Sequence, residues 1–202
     1  MGRPAAFDRD AAIETAMQEI WRTGYEATSV KAMSEKLGIT RSSYYNAFGS
    51  REDLFKEALG AYFAQSPDRV LYGALPAIPI RMFLTSTFRS ICAARASDPE
   101  GRGCLAINCL CELKGGPHDD MGTIIANAVL KSLARLEELL QIAIANGELP
   151  KDAPIHAIAL SLQTLMVGLN ALSKAVRSED ELWQTAKVTL EGLGIFQEAP
   201  VS

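Results

Sequence analysis

Histidine is nearly absent from this chain, represented only by His118 and His156, and none of its four cysteines stands in a Cys-x-x-Cys pair. With so few ligands and no metal-binding spacing, no metal and no cofactor is expected. No nucleophile lies at a recognisable spacing from a base. The adjacent acids Glu137-Glu138 and Asp119-Asp120 read as a solvated helix face and a helix start, so no enzyme is expected. Strand-like alternation, low-complexity tracts and repeats of a few tens of residues are also missing, which excludes sheets, disordered tails and solenoids. The start, Met-Gly-Arg-Pro-Ala-Ala-Phe-Asp, lacks the apolar centre of a secretory signal, and a cytoplasmic location is expected. Residues 153–173 carry no formal charge and are long enough to cross a bilayer. Gln163, Thr164 and Asn170 interrupt that span, however, and their burial in lipid would be costly. A helix packed against protein is expected instead, with no membrane partner.

What the chain does have is helical patterning throughout its 202 residues, and 48% hydrophobic content to build a core. The fold class is therefore all-α. The net charge of −4 argues against a protein that coats nucleic acid nonspecifically. Locally the balance reverses: between Ala27 and Arg51 stand Lys31, Lys36, Arg41 and Arg51 against the single acid Glu35. Prolines 67, 76 and 79 punctuate a stretch of weaker periodicity and place a domain boundary near Ser66-Pro67, dividing the chain into 1–66 and 67–202.

In the first part, Asp8 is placed to cap a helix carrying Ile13, Ala16, Met17, Ile20 and Trp21 at amphipathic spacing, and Gly24 ends it. Thr28 and Ser29 open a second helix, with Val30, Met33 and Leu37 inward and Lys31 outward, stopped by Gly38. Thr40 caps a short third helix that presents Arg41, Ser42, Ser43, Tyr45 and Asn46 without a carboxylate, a surface suited to phosphate oxygens and base edges. A short helix, a Gly-containing turn and a polar second helix make a helix-turn-helix, whose second helix would lie in a major groove. Ser50 opens a fourth helix with Leu54, Phe55, Ala58, Leu59 and Tyr62 on its core face. Ahead of the first helix, Arg3 sits on an extended arm that either enters a minor groove or is a frayed terminus.

Helices are expected beyond the boundary at 80–96, 104–113, 120–146, 154–176 and 179–195. On the last two, Ala157, Leu160, Ser161, Thr164, Leu165, Gly168, Leu169 and Leu172 recur at helical spacing, and Trp183, Val188, Leu190 and Leu193 add apolar surface. This is either a homodimer face or intrachain core.

The segments Ala-Thr-Ser-Val-Lys-Ala-Met from Ala27, Leu-Gly-Ile-Thr-Arg-Ser-Ser-Tyr-Tyr-Asn-Ala-Phe from Leu37 and Gly-Ser-Arg-Glu-Asp-Leu-Phe from Gly49 resemble the tetracycline-repressor (TetR) family of bacterial transcriptional regulators. The resemblance is close over roughly the first third of the chain. It implies an N-terminal three-helix DNA-binding domain and a C-terminal helical domain for effector binding and dimerisation. It makes Lys31, Arg41 and Ser42 base contacts, and Ser29, Ser43, Tyr45 and Arg51 phosphate contacts, with Thr28 and Thr40 at the two helix starts. Many members carry His where this chain has Ala47, and Asn46 is the candidate replacement for that contact.

Cys92, Cys104, Cys109 and Cys111 do not suggest a disulfide framework in a cytoplasmic chain. Cys104 and Cys111 share a helix face but lie about 10 Å apart along the axis, beyond the disulfide reach of roughly 7 Å. Arg102-Gly103-Cys104-Leu105, followed by Asn108 and Glu112, is similar to a motif in a branch of the family where some members sense electrophiles or oxidants through cysteine. A thiol at a helix N-terminus beside Arg102 suits that chemistry; the alternative is a buried thiol acting as a small apolar residue. The effector pocket is expected among the helices containing Phe83, Phe88, Leu105, Asn108 and Ile125, whose apolar walls and few amides suit a small organic ligand. The function expected is a homodimeric repressor released from a double-stranded operator by a small-molecule effector. An activator of the same family is the alternative, and a helical small-molecule-binding protein or enzyme without DNA binding is the rival from another class.

Overall fold

The computed structural model describes residues 8–113, 115–116 and 119–198, and among them every regular element is helical. Arg3 and His118 lie outside the described residues. The elements are α1 (Arg9–Thr23), α2 (Val30–Leu37), α3 (Arg41–Phe48), α4 (Arg51–Gln65), a 3-10 turn (Pro67–Tyr72), α5 (Ile80–Ser97), α6 (Leu105–Leu113), α7 (Asp119–Ala145), α8 (Ile155–Leu172) and α9 (Glu179–Gly192).

The four N-terminal helices begin where hydroxyl or carboxylate side chains satisfy unpaired amides. Asp8 accepts from Ala11 N–H at 3.0 Å, Ser29 from Ala32 at 3.1 Å, Thr40 from Ser43 at 3.1 Å and Ser50 from Asp53 at 3.0 Å. The turn between α2 and α3 depends on Gly38, whose φ of 66° is left-handed. Beside it the Ile39 amide reaches back to the Ser34 carbonyl at 3.0 Å, closing the end of α2.

Among the described residues, three buried clusters hold the helices together. Ala12, Ala16, Met33, Tyr44, Phe48 and Leu54 form the centre of the helix-turn-helix. The largest cluster joins α5, α7, α8 and α9 through Leu84, Phe88, Leu139, Leu162, Leu182 and their neighbours. Between them a third cluster packs Met17, Ile20, Phe55 and Leu59 of α1 and α4 against Leu105, Cys109, Leu113 and Ile125 of α6 and α7. The chain changes element at Ser66, but this apolar packing continues across the expected Ser66-Pro67 boundary and ties α6 to the N-terminal helices.

Several expectations need correction. The stretch after Ser66 forms a 3-10 turn beginning at Pro67, α8 ends at Leu172 rather than 176, and α9 ends at Gly192 rather than 195. Within the proposed dimer stripe, Leu165 and Leu169 are buried inside the chain, as is Leu190 of α9, because the stripe is wider than one helix face. Ala157, Leu160, Thr164, Gly168, Leu172 and Val188 do face outward. By length and composition α8 would be able to cross a membrane; here its inner side packs on α7 and α9.

Candidate nucleic-acid interface

The third helix divides into two faces. Tyr44 and Phe48 point into the core with ring centroids 5.3 Å apart, and burial pushes the Tyr44 phenol up to about 12, so it serves as a neutral core aromatic. Arg41, Ser42, Ser43, Tyr45 and Asn46 are exposed, Tyr45 by 53%. Among the described residues, Arg41, Ser42, Asn46 and the Tyr45 hydroxyl have no hydrogen bond or ion pair from their side chains, whereas Ser43 shares one with Thr40 at 2.9 Å. One guanidinium, one phenol, a hydroxyl and an amide thus stand unengaged on two turns of helix.

Lys31 on α2 is also exposed and meets only Glu35, at 4.0 Å. A solvent-exposed pair of that length is weak and easily exchanged for a phosphate. Lys36 is different, because it is ion-paired with Glu19 and ties α2 to α1. Ser29 is exposed at the start of α2, its hydroxyl oxygen accepting from the Ala32 amide.

Two residues expected at the interface are turned inward. Thr28 is only 6% exposed, and its hydroxyl donates to the Gly24 carbonyl at 2.9 Å, bracing the turn between α1 and α2. Arg51 donates from Nε to the Thr28 carbonyl at 2.7 Å and from Nη2 to the Tyr25 carbonyl, and its guanidinium stacks 3.9 Å from the Tyr25 ring centroid. It cross-links the same turn to α4 and offers little to a phosphate.

That turn is also held from outside the N-terminal helices. The Glu112 carboxylate, at the end of α6, accepts from the Tyr25 amide at 3.0 Å and the Glu26 amide at 2.6 Å. It lies so close to Gly24 that a Cβ there would come within 2.8 Å of a carboxylate oxygen. α6 is thereby gripped to the loop that leads into α2. In the sequence Glu112 stands out only as part of the motif that begins at Arg102.

The other end of α6 borders a cavity of about 310 Å³ between α4, the 3-10 turn, α6, α7 and α8. Of the residues expected to bind an effector, only Cys104 lines it. Phe88 is fully buried in the α5–α9 core and Phe83 packs against that core, because α5 turns its aromatics away from the cavity. Arg102 pairs with Asp98 at 3.0 Å, donates to Gln18 at 2.6 Å and stacks 3.9 Å from the Trp21 ring centroid, so it is not a free cation beside the thiol. Asn108 donates to the Arg102 carbonyl at 2.8 Å and holds the same turn, and both line a separate polar cleft with Trp21 and Lys174. Cys104 is buried and stands just before α6, at the cap position rather than in its first turn. All four thiols are free; burial pushes Cys92 and Cys109 up to about 12, while Cys111 is exposed. The cavity wall residues Gln163 and Asn170 carried a visible sign in the sequence, as polar interruptions of the apolar α8.

A helix-turn-helix with an unengaged polar recognition face, mounted on a larger helical body with its own cavity, defines the class: a DNA-binding transcriptional regulator. Comparison with known proteins places the chain more closely. The family of bacterial regulatory proteins of the tetR type matches residues 12–58, and the tetracyclin repressor-like C-terminal domain matches residues 83–188. The chain is 29% identical over 192 residues to the HTH-type transcriptional repressor ComR of Escherichia coli (strain K12), across 94% of this chain and 90% of ComR. It is 27% identical over 201 residues to the HTH-type transcriptional regulator YezE of Bacillus subtilis (strain 168), across 96% and 100% of the two chains. The solved structure of a cysteine-substituted form of the TetR family regulator CifR, complexed with 26-base-pair operator DNA, matches with a TM-score of 0.81 at 33% identity, over 94% of this chain and 98% of that one. The chain belongs to the TetR family of transcriptional regulators, and its relatives are regulators rather than enzymes.

Proposed function

We propose that the protein is a cytoplasmic homodimeric repressor that binds a double-stranded operator and leaves it when a small molecule occupies the cavity. Residues 1–66 act as the reading unit and 67–202 as the effector and dimerisation unit. The observation that carries this is the unengaged outer face of α3. Arg41 and Ser42, with Lys31 from α2, are assigned to base edges; Ser29, Ser43, Tyr45 and Asn46 are assigned to phosphates. ComR is named a repressor and the CifR structure holds operator DNA, which supports the same role here.

Dimerisation is supported by the outward stripe of Ala157, Leu160, Thr164, Gly168 and Leu172 on α8, continued by Val188, which is 68% exposed on α9. Small residues let two such helices approach closely. Paired heads would then enter successive major grooves about 34 Å apart.

Release follows from α6. Ala106 and Ile107 at one end of it line the cavity, and Glu112 at the other end holds the loop before α2. A ligand that binds better to a conformation with displaced α6 changes the spacing of the heads, and only such unequal binding shifts the equilibrium. Selection of bound fragments from genomic DNA tests the proposal. Wild type enriches a two-half-site sequence and Arg41→Ala does not; absence of any enriched sequence, with binding insensitive to salt, overturns it.

A further inference from the structure

The cavity between α4, α6, α7 and α8 has a mostly apolar wall that includes Phe63, Ile107, Val129 and Met166. Among the polar side chains that break the pattern are Gln163 and Ser132. Gln163 of α8 is 9% exposed and Ser132 of α7 is 5% exposed, and Gln163 Oε1 has no hydrogen-bond partner. Buried polar atoms of folded proteins are nearly always partnered, so an orphan amide oxygen on a cavity-wall residue calls for an explanation. The Tyr72 phenol, also on the wall, interacts with Ser132; the Gln163 oxygen has no such neighbour.

The kind of group that would complete the wall follows from these atoms. An amide oxygen accepts only, so its partner must donate, while a serine hydroxyl takes either role. A ligand hydroxyl meets both. Charge in the wall is balanced, with Asp68 and Lys131 contributing one of each sign. The buried Arg95 lies behind it, donating to Asn170 Oδ1 and, at 3.0 Å, to Tyr62 Oη, which put two neutral groups between its guanidinium and the cavity. A carboxylate would find no unshielded buried cation there.

From this geometry we infer that the cavity binds an uncharged, largely apolar molecule whose hydroxyl donates to Gln163. The inference rests on the proposed function only in naming that molecule the effector. The volume is at the lower end for small-molecule sites, which suits an occupant of one ring carrying an alkyl chain.

The test uses the full-length protein and three matched probes: 6-phenylhexan-1-ol, its methyl ether, and 6-phenylhexanoate. Calorimetry should show the alcohol binding on the order of tenfold or more tighter than the ether or the acid, because only the alcohol supplies a neutral donor. Gln163→Met, similar in length but unable to accept in the same way, should erase the preference for alcohol over ether. Equal binding of alcohol and ether to wild type, tighter binding of the acid, or no binding of any probe overturns the inference without need of a variant. Unchanged discrimination in a folded Gln163→Met protein does so as well. Operator release is read separately. Alcohol bound through Gln163 with DNA still held counts against the effector role and leaves the ligand class standing.

Discussion

Removing the Glu112 carboxylate should loosen one loop before it loosens the protein. Glu112→Ala deletes the acceptor for the Tyr25 and Glu26 amides, which it meets at 3.0 and 2.6 Å. Each bond to a charged acceptor would contribute about 1.5–3 kcal/mol in a dry setting. Glu112 is surface-exposed, however, so water replaces part of what is lost and screening reduces the rest. A combined loss of about 1–2 kcal/mol is the reasonable magnitude. For a chain of this size that lowers Tm by about 2–8 °C. The local effect is the diagnostic one. Hydrogen exchange at the Tyr25 and Glu26 amides should accelerate about five- to thirtyfold while the amides of α8 change little. With a cavity ligand present, the ratio of operator affinities with and without that ligand should also move toward one. Unchanged protection at residues 25 and 26, or a uniform rise in exchange along the whole chain, would refute the view that Glu112 transmits the position of α6 to the reading head.

Further outcomes follow from neighbouring contacts. Arg51→Ala removes two carbonyl contacts and a ring stack, so it should cost about 1–3 kcal/mol of stability in denaturant titration; Arg41→Ala, on the free face, should stay within about 0.5 kcal/mol of wild type while losing operator affinity. Gly24→Ala forces a left-handed backbone (φ 87°) onto a residue with a Cβ that meets Glu112, and circular dichroism should show a lower Tm than wild type. The pH dependence centres on Asp98: burial raises its carboxyl, but hydrogen bonds and charge from Arg102 outweigh that and hold it below the ordinary 3.8. A depressed carboxylate stabilises the fold at pH values above 3.8 and loses that contribution as pH falls through its lower folded value. Acid titration of Asp98→Asn should therefore show a flatter decline below about pH 4 than wild type; identical slopes would remove Asp98 from the acid transition.

Much of the N-terminal architecture was legible because short-range chemistry decides it. Hydroxyl caps at Ser29, Thr40 and Ser50 and the left-handed Gly38 mark helix ends regardless of what packs above them. The outward set Arg41, Ser42, Tyr45 and Asn46 follows from the same register, since Tyr44 and Phe48 must face the core. Arg51 and Thr28 were misplaced for the complementary reason. Their partners are carbonyls of another segment, at Tyr25, Thr28 and Gly24, and no local pattern shows that a guanidinium will close on a distant turn. The cavity is the extreme case. Its walls come from five elements, and the apolar aromatics Phe83 and Phe88 looked like ligand contacts when they were core. Of the polar residues that mark it, Gln163 shows in the sequence as an interruption of the apolar α8, whereas Ser132 becomes unusual only once its burial is known.

Dimethyl sulfate footprinting of the selected operator, which reports guanine N7 in the major groove, bears most directly on α3 as the reading element. The account predicts two protected patches centred about one helical turn apart, both lost with Arg41→Ala at protein concentrations where the variant remains folded. A single patch, protection confined to the minor groove, or full protection by Arg41→Ala would contradict it.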